Sequence, residues 1–246
     1  VQARWTLLGG GAAFRPARPR QYAAKMPESS GGVGSRRPEK GEGDRMTVRG
    51  EDALGAALEW RAGGREVALV TVIRAWDSAP CPVGSLMAVD QGGVRVGSVS
   101  AGLIEEVVVE RALEAMADGE SRLLGHTVTD ARAKEAGLAC GGGIELFLQP
   151  VGPLDGQPDL LERLVRAQAE QRAVAFVTDL VMGLQSLVFE SVVHGGFGLD
   201  EPALAMVRDL LAIGQSAVIE PTEDSRLFVH VFVPRLRDST GADALA

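Results

Sequence analysis

Residues 66–75, EVALVTVIRA, constrain the fold more than any other stretch. The run is aliphatic and rich in β-branched residues, and it lacks the alternation of a half-exposed strand. It reads as a buried strand, and a buried strand needs neighbours. LMAVD (86–90) and VRVGSV (94–99) read as two strands joined by a turn at Gln91, Gly92 and Gly93. RLLGHTV (122–128) reads as another strand, and GIELFLQPV (143–151) as a closing one. The spacing of apolar residues predicts a helix over 50–63 (Leu54, Ala57, Leu58). It predicts a second from Leu103 to Ala117, with Ile104, Val108, Ala112 and Met116 on one stripe. ARAKEAG adds a short helix, and the Pro and Gly residues of PVGPLDGQP mark a linker.

A second, smaller unit follows. It has a helix over 158–171 (Leu160, Leu161, Leu164, Val165), strands at AVAFVTDL and SLVFE, and a loop at HGGFG. A helix over 201–213 (Leu204, Val207, Leu210, Leu211) and strands at SAVIEP and RLFVHVFV complete it. The expected fold class is α/β in the broad α+β sense: a mixed sheet with flanking helices over 46–151, then a smaller α/β unit over 152–236. No internal repeat is visible.

Residues 1–45 differ from the rest. They are rich in Gly, Arg, Pro and Ser, and carry nine Lys/Arg against four Asp/Glu. They are expected to be a disordered basic extension, and 237–246 a disordered tail. Met46 stands just before the first periodic segment, which suits an over-extended or unprocessed start; WTLLGGGAAF is too short and glycine-broken for a signal peptide. The remainder holds 16 Lys/Arg against 29 Asp/Glu. So acidic a body repels phosphate backbones and is a poor nucleic-acid partner. No apolar run approaches the roughly 20 residues of a membrane span. The only cysteines, Cys81 and Cys140, form no CxxC motif, which fits a reducing cytoplasm.

Three loops could carry chemistry. In GSVSAG (97–102), glycines and serines feed a helix start, where free amides and the macrodipole suit an anion such as phosphate. The alternative is a strand-to-helix turn with Ser100 as N-cap. Glu105 in the first turn reads as structural rather than as a general base. In DSAPCPVG (77–84), prolines stiffen a loop after the buried strand; Cys81 is either a reactive thiol or, with no base nearby, a plain surface cysteine. In LACGGGIE, Cys140 precedes three glycines and could be a soft ligand or a sulfur-handling nucleophile, or simply a small residue in a turn. His126 and His230 fall within strands and suit core or sheet-face roles, while His194 sits in a loop; no HxH or HExxH pairing suggests a histidine metal site.

Taken in order, these loops resemble the XdhC/CoxI family, accessory proteins for maturing molybdenum hydroxylases. The family patterns AxATVV, SxPRPxG, GSVSGGCVE and LxCGGxIEVFVEP have counterparts here in VALVTVI, SAPCPVG, GSVSAGLIE and LACGGGIELFLQP. The likeness extends over residues 48–235. Two departures stand out. The family cysteine in SGGC is Leu103, with Ala101 at a glycine position, and the chain ends at PRLRDSTGADALA, where the family's Rossmann domain would begin.

The resemblance implies a non-enzymatic chaperone or insertion factor that binds the molybdenum cofactor (molybdopterin) transiently. Implied contacts are Gly97, Ser98, Ser100, Gly102, Pro82, Gly84, Cys140, Gly141 and Gly142, with Cys140 as metal ligand. Implied partners are a molybdenum hydroxylase apoenzyme, a cysteine desulfurase and a second copy of the chain. Two other readings stand beside this one. The chain could be a degenerate paralogue that keeps the fold as a protein-interaction module, or a sulfur carrier using Cys140.

Overall fold

The computed structural model describes residues 20–22, 50–128, 142–151 and 159–234. Cys140, Gly141, the expected helix at 131–137, the linker at 152–158 and the tail at 237–246 lie outside the described residues, as does all of 1–45 except 20–22.

Two sheets form the frame. The first has the order β1-β5-β6-β2-β3-β4. Its strands are β1 (Arg20–Tyr22), β2 (Val67–Asp77), β3 (Leu86–Asp90), β4 (Arg95–Gly97), β5 (Arg122–Val128) and β6 (Gly142–Pro150). The pairs are antiparallel except β1 with β5, which run parallel. β1 falls inside the segment read from the sequence as a basic extension. The second sheet has the order β10-β11-β7-β8-β9 and is antiparallel throughout. Its strands are β7 (Val174–Asp179), β8 (Gln185–Val188), β9 (Val193–Gly195), β10 (Ala217–Thr222) and β11 (Ser225–Phe232). β9 occupies the start of the expected HGGFG loop. Helices α1 (Gly50–Ala62), α2 (Glu105–Asp118), α3 (Leu160–Ala169) and α4 (Glu201–Ile213) pack on the sheets.

As expected, β2 is buried over its first seven residues, between β6 and β3; Arg74, Trp76 and Asp77 at its end are exposed. Ala68, Val70 and Val72 join Met87, Val89, Ile144, Leu146 and Leu148 beneath α2. The opposite face carries Val67, Leu69 and Ile73. It meets α1, then α3 and the inner face of the second sheet, in a core that includes Leu54, Leu164, Val174, Phe176 and Leu187. Farther along, Ile73, Leu123 and Phe147 touch Leu180 and Phe228 directly across the two sheets. The outer face of the second sheet is closed by Ala203 and Val207 of α4. The two expected units therefore share a core.

Polar contacts mark the seam between the sheets. Gln185 donates to the Gln149 side-chain carbonyl, and Gln149 to the Gly183 carbonyl. Glu145 of β6 pairs with Arg226 of β11 at 2.8 Å. Arg61 of α1 pairs with Asp159 at the start of α3. His230 lies in this seam, 7% exposed, with its ring 4.1 Å from that of Phe232. The small cavity beside it is lined by no carboxylate. Burial alone pushes the His230 pKa down to about 3.

Two outcomes follow from the shared core. Leu164→Ala should cost about 2–5 kcal/mol, and urea unfolding should remain one transition by far-UV and by Trp fluorescence; two separated transitions would mean the units unfold independently. The second concerns acid. Unfolded histidine gains its proton near pH 6.5, folded His230 only near pH 3. Between these values the unfolded state binds more protons, so stability is complete above pH 6.5 and falls as pH drops toward 3, by about 5 kcal/mol at most. His230→Phe should flatten the pH dependence of the urea midpoint between pH 6.5 and 4.5.

Candidate functional site

Two of the three motif loops meet at the end of the first sheet where β2 finishes. The first, 77–85, is tied back to β2: Gly84 donates to the Val72 carbonyl at 2.8 Å, and Val72 donates to that of Ser85 at 2.9 Å. Gly84 has φ +89°, and a Cβ there would sit 2.9 Å from His230 Nε2. Only glycine suits both the conformation and the space. The second loop, 97–104, leaves β4 at Gly97 (φ +92°), where a Cβ would overlap the Leu86 carbonyl. That turn ends β4 two residues before the expected strand does. Gly142, from the third motif, is buried against the backbone of Ser78 and Ala79. It joins the cluster from the β6 side, while Cys140 and Gly141 lie outside the described residues.

The anion at the Gly/Ser loop is the protein's own Glu105. Its carboxylate accepts from the Ser98 hydroxyl at 2.6 Å, from the Ser100 amide at 3.0 Å and from the Ser100 hydroxyl. The Ile104 amide lies 3.3 Å from its second oxygen. Glu105 is 4% exposed. Burial by itself would raise its pKa, but hydrogen bonds from the Ser100 and Ser98 hydroxyls and the Gly102 and Ser100 amides outweigh it and hold the group at about 2. The donors that the sequence offered to a phosphate are thus engaged from within. The expected cap also shifts. The helix begins at Glu105 with Ile104 as N-cap and no side-chain cap, and Ser100 Oγ instead accepts the Ile104 amide at 3.0 Å. Ala101 takes a left-handed conformation, φ +52°, where the family pattern has glycine.

Cys81 was expected to be a plain surface cysteine or a reactive thiol. It is half-buried and packs against the core beneath α2. Burial raises its thiol pKa; the Ala101 backbone and the Ser98 side chain pull it down, and the charge of Glu105 adds to the rise. The thiol therefore faces the 97–104 loop. Pro82 beside it and Ala101 and Gly102 opposite are exposed. The sequence signal was present: Cys81 stands where the SxPRPxG pattern has arginine, and Leu103 where the GSVSGGCVE pattern has cysteine. Leu103 is half-buried. The histidines do not join the cluster as ligands. His194 lies on β9, edge-on to Phe189, and among the described residues no group of three or more His, Cys, Asp or Glu is arranged to hold a metal ion.

Comparison with known proteins agrees with the resemblance in the motifs. Residues 60–127 match the sequence model of the XdhC and CoxI family. That span holds the first three motifs and stops before LACGGGIE. A crystal structure described as a xanthine dehydrogenase from Bacillus halodurans superposes with a TM-score of 0.53 and 21% identity, covering 74% of this chain and 53% of that one. This establishes a shared fold, and the chain spans about half the length of that protein. No curated protein matches the chain. Among the described residues no helix is long and apolar enough to cross a membrane.

Glu105→Gln tests the internal anion. The substitution keeps the shape but turns an amide toward N–H and O–H donors, and it should cost about 2–3 kcal/mol at pH 7. The carboxylate's contribution is complete above pH 4.5 and is lost as pH falls toward 2. The gap between variant and parent in urea unfolding should therefore close over that range.

Proposed function

We propose that the chain takes part in the maturation of a molybdenum hydroxylase, receiving the molybdenum cofactor as cargo at the loop cluster 77–85 and 97–104. The observation that carries this reading is the meeting of Cys81 with Ser98 and Ala101 inside the span that matches the XdhC and CoxI family. A thiol half-sheltered among glycine and serine is a fitting soft ligand for the metal end of a dithiolene-bound molybdenum.

The donor set fits this cargo at one end only. Four donors of the 97–104 loop already serve Glu105, so a terminal phosphate finds no vacant cradle there. In this reading the loop is a rigid wall, and the exposed rim of Pro82, Ala101 and Gly102 meets the ligand. Cys81 holds the metal in place of the cysteine that the family pattern has at Leu103. Cys140, Gly141 and Gly142, next in the motif order, supply the remaining contacts. The raised thiol pKa of Cys81 keeps it protonated until a metal displaces the proton, which makes transfer to an apoenzyme reversible. A hydroxylase apoenzyme, a cysteine desulfurase and a second copy of the chain are the partners this role calls for.

The test is anaerobic incubation of the full chain with free molybdenum cofactor, read by molybdenum content and by fluorescence of the oxidised pterin after gel filtration. Binding is expected, with at least a tenfold loss in Cys81→Ser and a smaller loss in Cys140→Ser. Retention by Cys81→Ser with loss in Cys140→Ser would move the ligand to Cys140. If the parent chain retains no pterin, cofactor delivery fails as an explanation and an interaction module without cofactor remains.

A further inference from the structure

Loop 77–85 enters two cores within three residues. Cys81 packs against the core beneath α2. Val83 packs against the other one, where Ile73, Leu123 and Phe147 of the first sheet meet Leu180 and Phe228. Gly84 follows, and a Cβ there would come within 2.9 Å of His230 Nε2, so the imidazole rests on the loop backbone.

That ring has little room to withdraw. It is buried, and its neighbours along β11, Phe228 and Phe232, have ring centroids 5.7 and 4.1 Å from its own. From Gly84 the hold passes to Cys81 through a closed turn. Ser85 donates to the Pro82 carbonyl from its amide at 3.1 Å and from its hydroxyl at 2.8 Å. Pro82, with its φ fixed by the ring, is the next residue after Cys81. A contact made by β11 therefore reaches the thiol through three stiff links.

We infer that His230 is a positioning residue for the Cys81 thiol: β11 clamps loop 77–85 from the second sheet, and loosening that clamp frees the sulfur while the sheets stay folded. The inference deepens the proposed role of Cys81 as metal ligand and rests on it for its purpose. A partner that shifts β11 would thereby change access to the ligand without touching it.

The test is alkylation of Cys81 by iodoacetamide in the full native chain, with peptide-resolved mass spectrometry to read Cys81 and Cys140 separately. His230→Ala, which removes the ring, should speed Cys81 labelling about tenfold, while His230→Phe, which keeps one over Gly84, should stay within about twofold of the parent. Val83→Ala is a milder change made from the loop side and should act in the same direction. The double variant should fall short of the product of the two Ala effects, because both loosen one contact. Low urea should leave the accelerated rate unchanged, since a local opening exposes little surface. Labelling within about twofold of the parent in both Ala variants would overturn the inference. An acceleration that climbs with urea in step with global unfolding would also overturn it, since a merely structural role predicts that result. No cofactor is present in this experiment, so its failure leaves the cofactor reading standing, and a chain that retains no pterin can still show the clamp.

Discussion

From Val67 to Ile73, β2 has no face turned to water, and the rest of the architecture answers to that constraint. A strand lined on one side by Ala68, Val70 and Val72 and on the other by Val67, Leu69 and Ile73 must be covered twice. α2 covers one side. α1 alone is too narrow to cover the other, so α3 and the inner face of the second sheet complete it. The second sheet must in turn bury its own outer face, and α4 does so with Ala203 and Val207. Burial of this extent, at about 25 cal/mol per Å² of apolar surface, outweighs anything the half-exposed ion pairs of the seam can add. Arg226–Glu145 and its neighbours fix how the sheets register against each other rather than whether they meet.

The second sheet reaches the candidate site through that packing. His230 stands on β11, yet its ring fills the space over Gly84, in the loop that carries Cys81. Loop 77–85 is thus held by its own bonds to β2 and by the opposite sheet. Loop 97–104 is held by a different device, a carboxylate folded back from the first residue of α2. Both loops are thus tethered from within the fold.

How much of this was legible in the sequence depended on how local the cause was. α4 could be read almost to the residue, because Asp200 caps it, Pro202 suits its first turn and Gly214 ends it in a left-handed conformation. The hairpin of β3 and β4 was equally local, with Asp90 accepting the Gly92 and Val94 amides in the turn. The start of α2 was misread because Glu105 acts backward along the chain, and a periodic pattern counts the stripe without seeing what the polar residue reaches. β9 is three residues long and exists only because β8 offers an edge. The shared core was illegible for another reason. Apolar stripes on α1 and α3 announce burial but not the surface they bury against.

Cys81 draws these threads together. Judged by its neighbours in sequence it is an unremarkable thiol between two prolines, without a base. Judged by its place in the fold it lies beside Ser98 and Ala101, five and two residues from the position where the family pattern has its cysteine. Side chains from adjoining loops can supply the same atom to the same space, since a site fixes the position of a sulfur and not the residue number that delivers it. In this chain Leu103 holds the position where the pattern has cysteine, and Cys81, on the facing loop, holds the one where it has arginine. The thiol of the cluster therefore stands on loop 77–85, against Ser98 and Ala101 of loop 97–104.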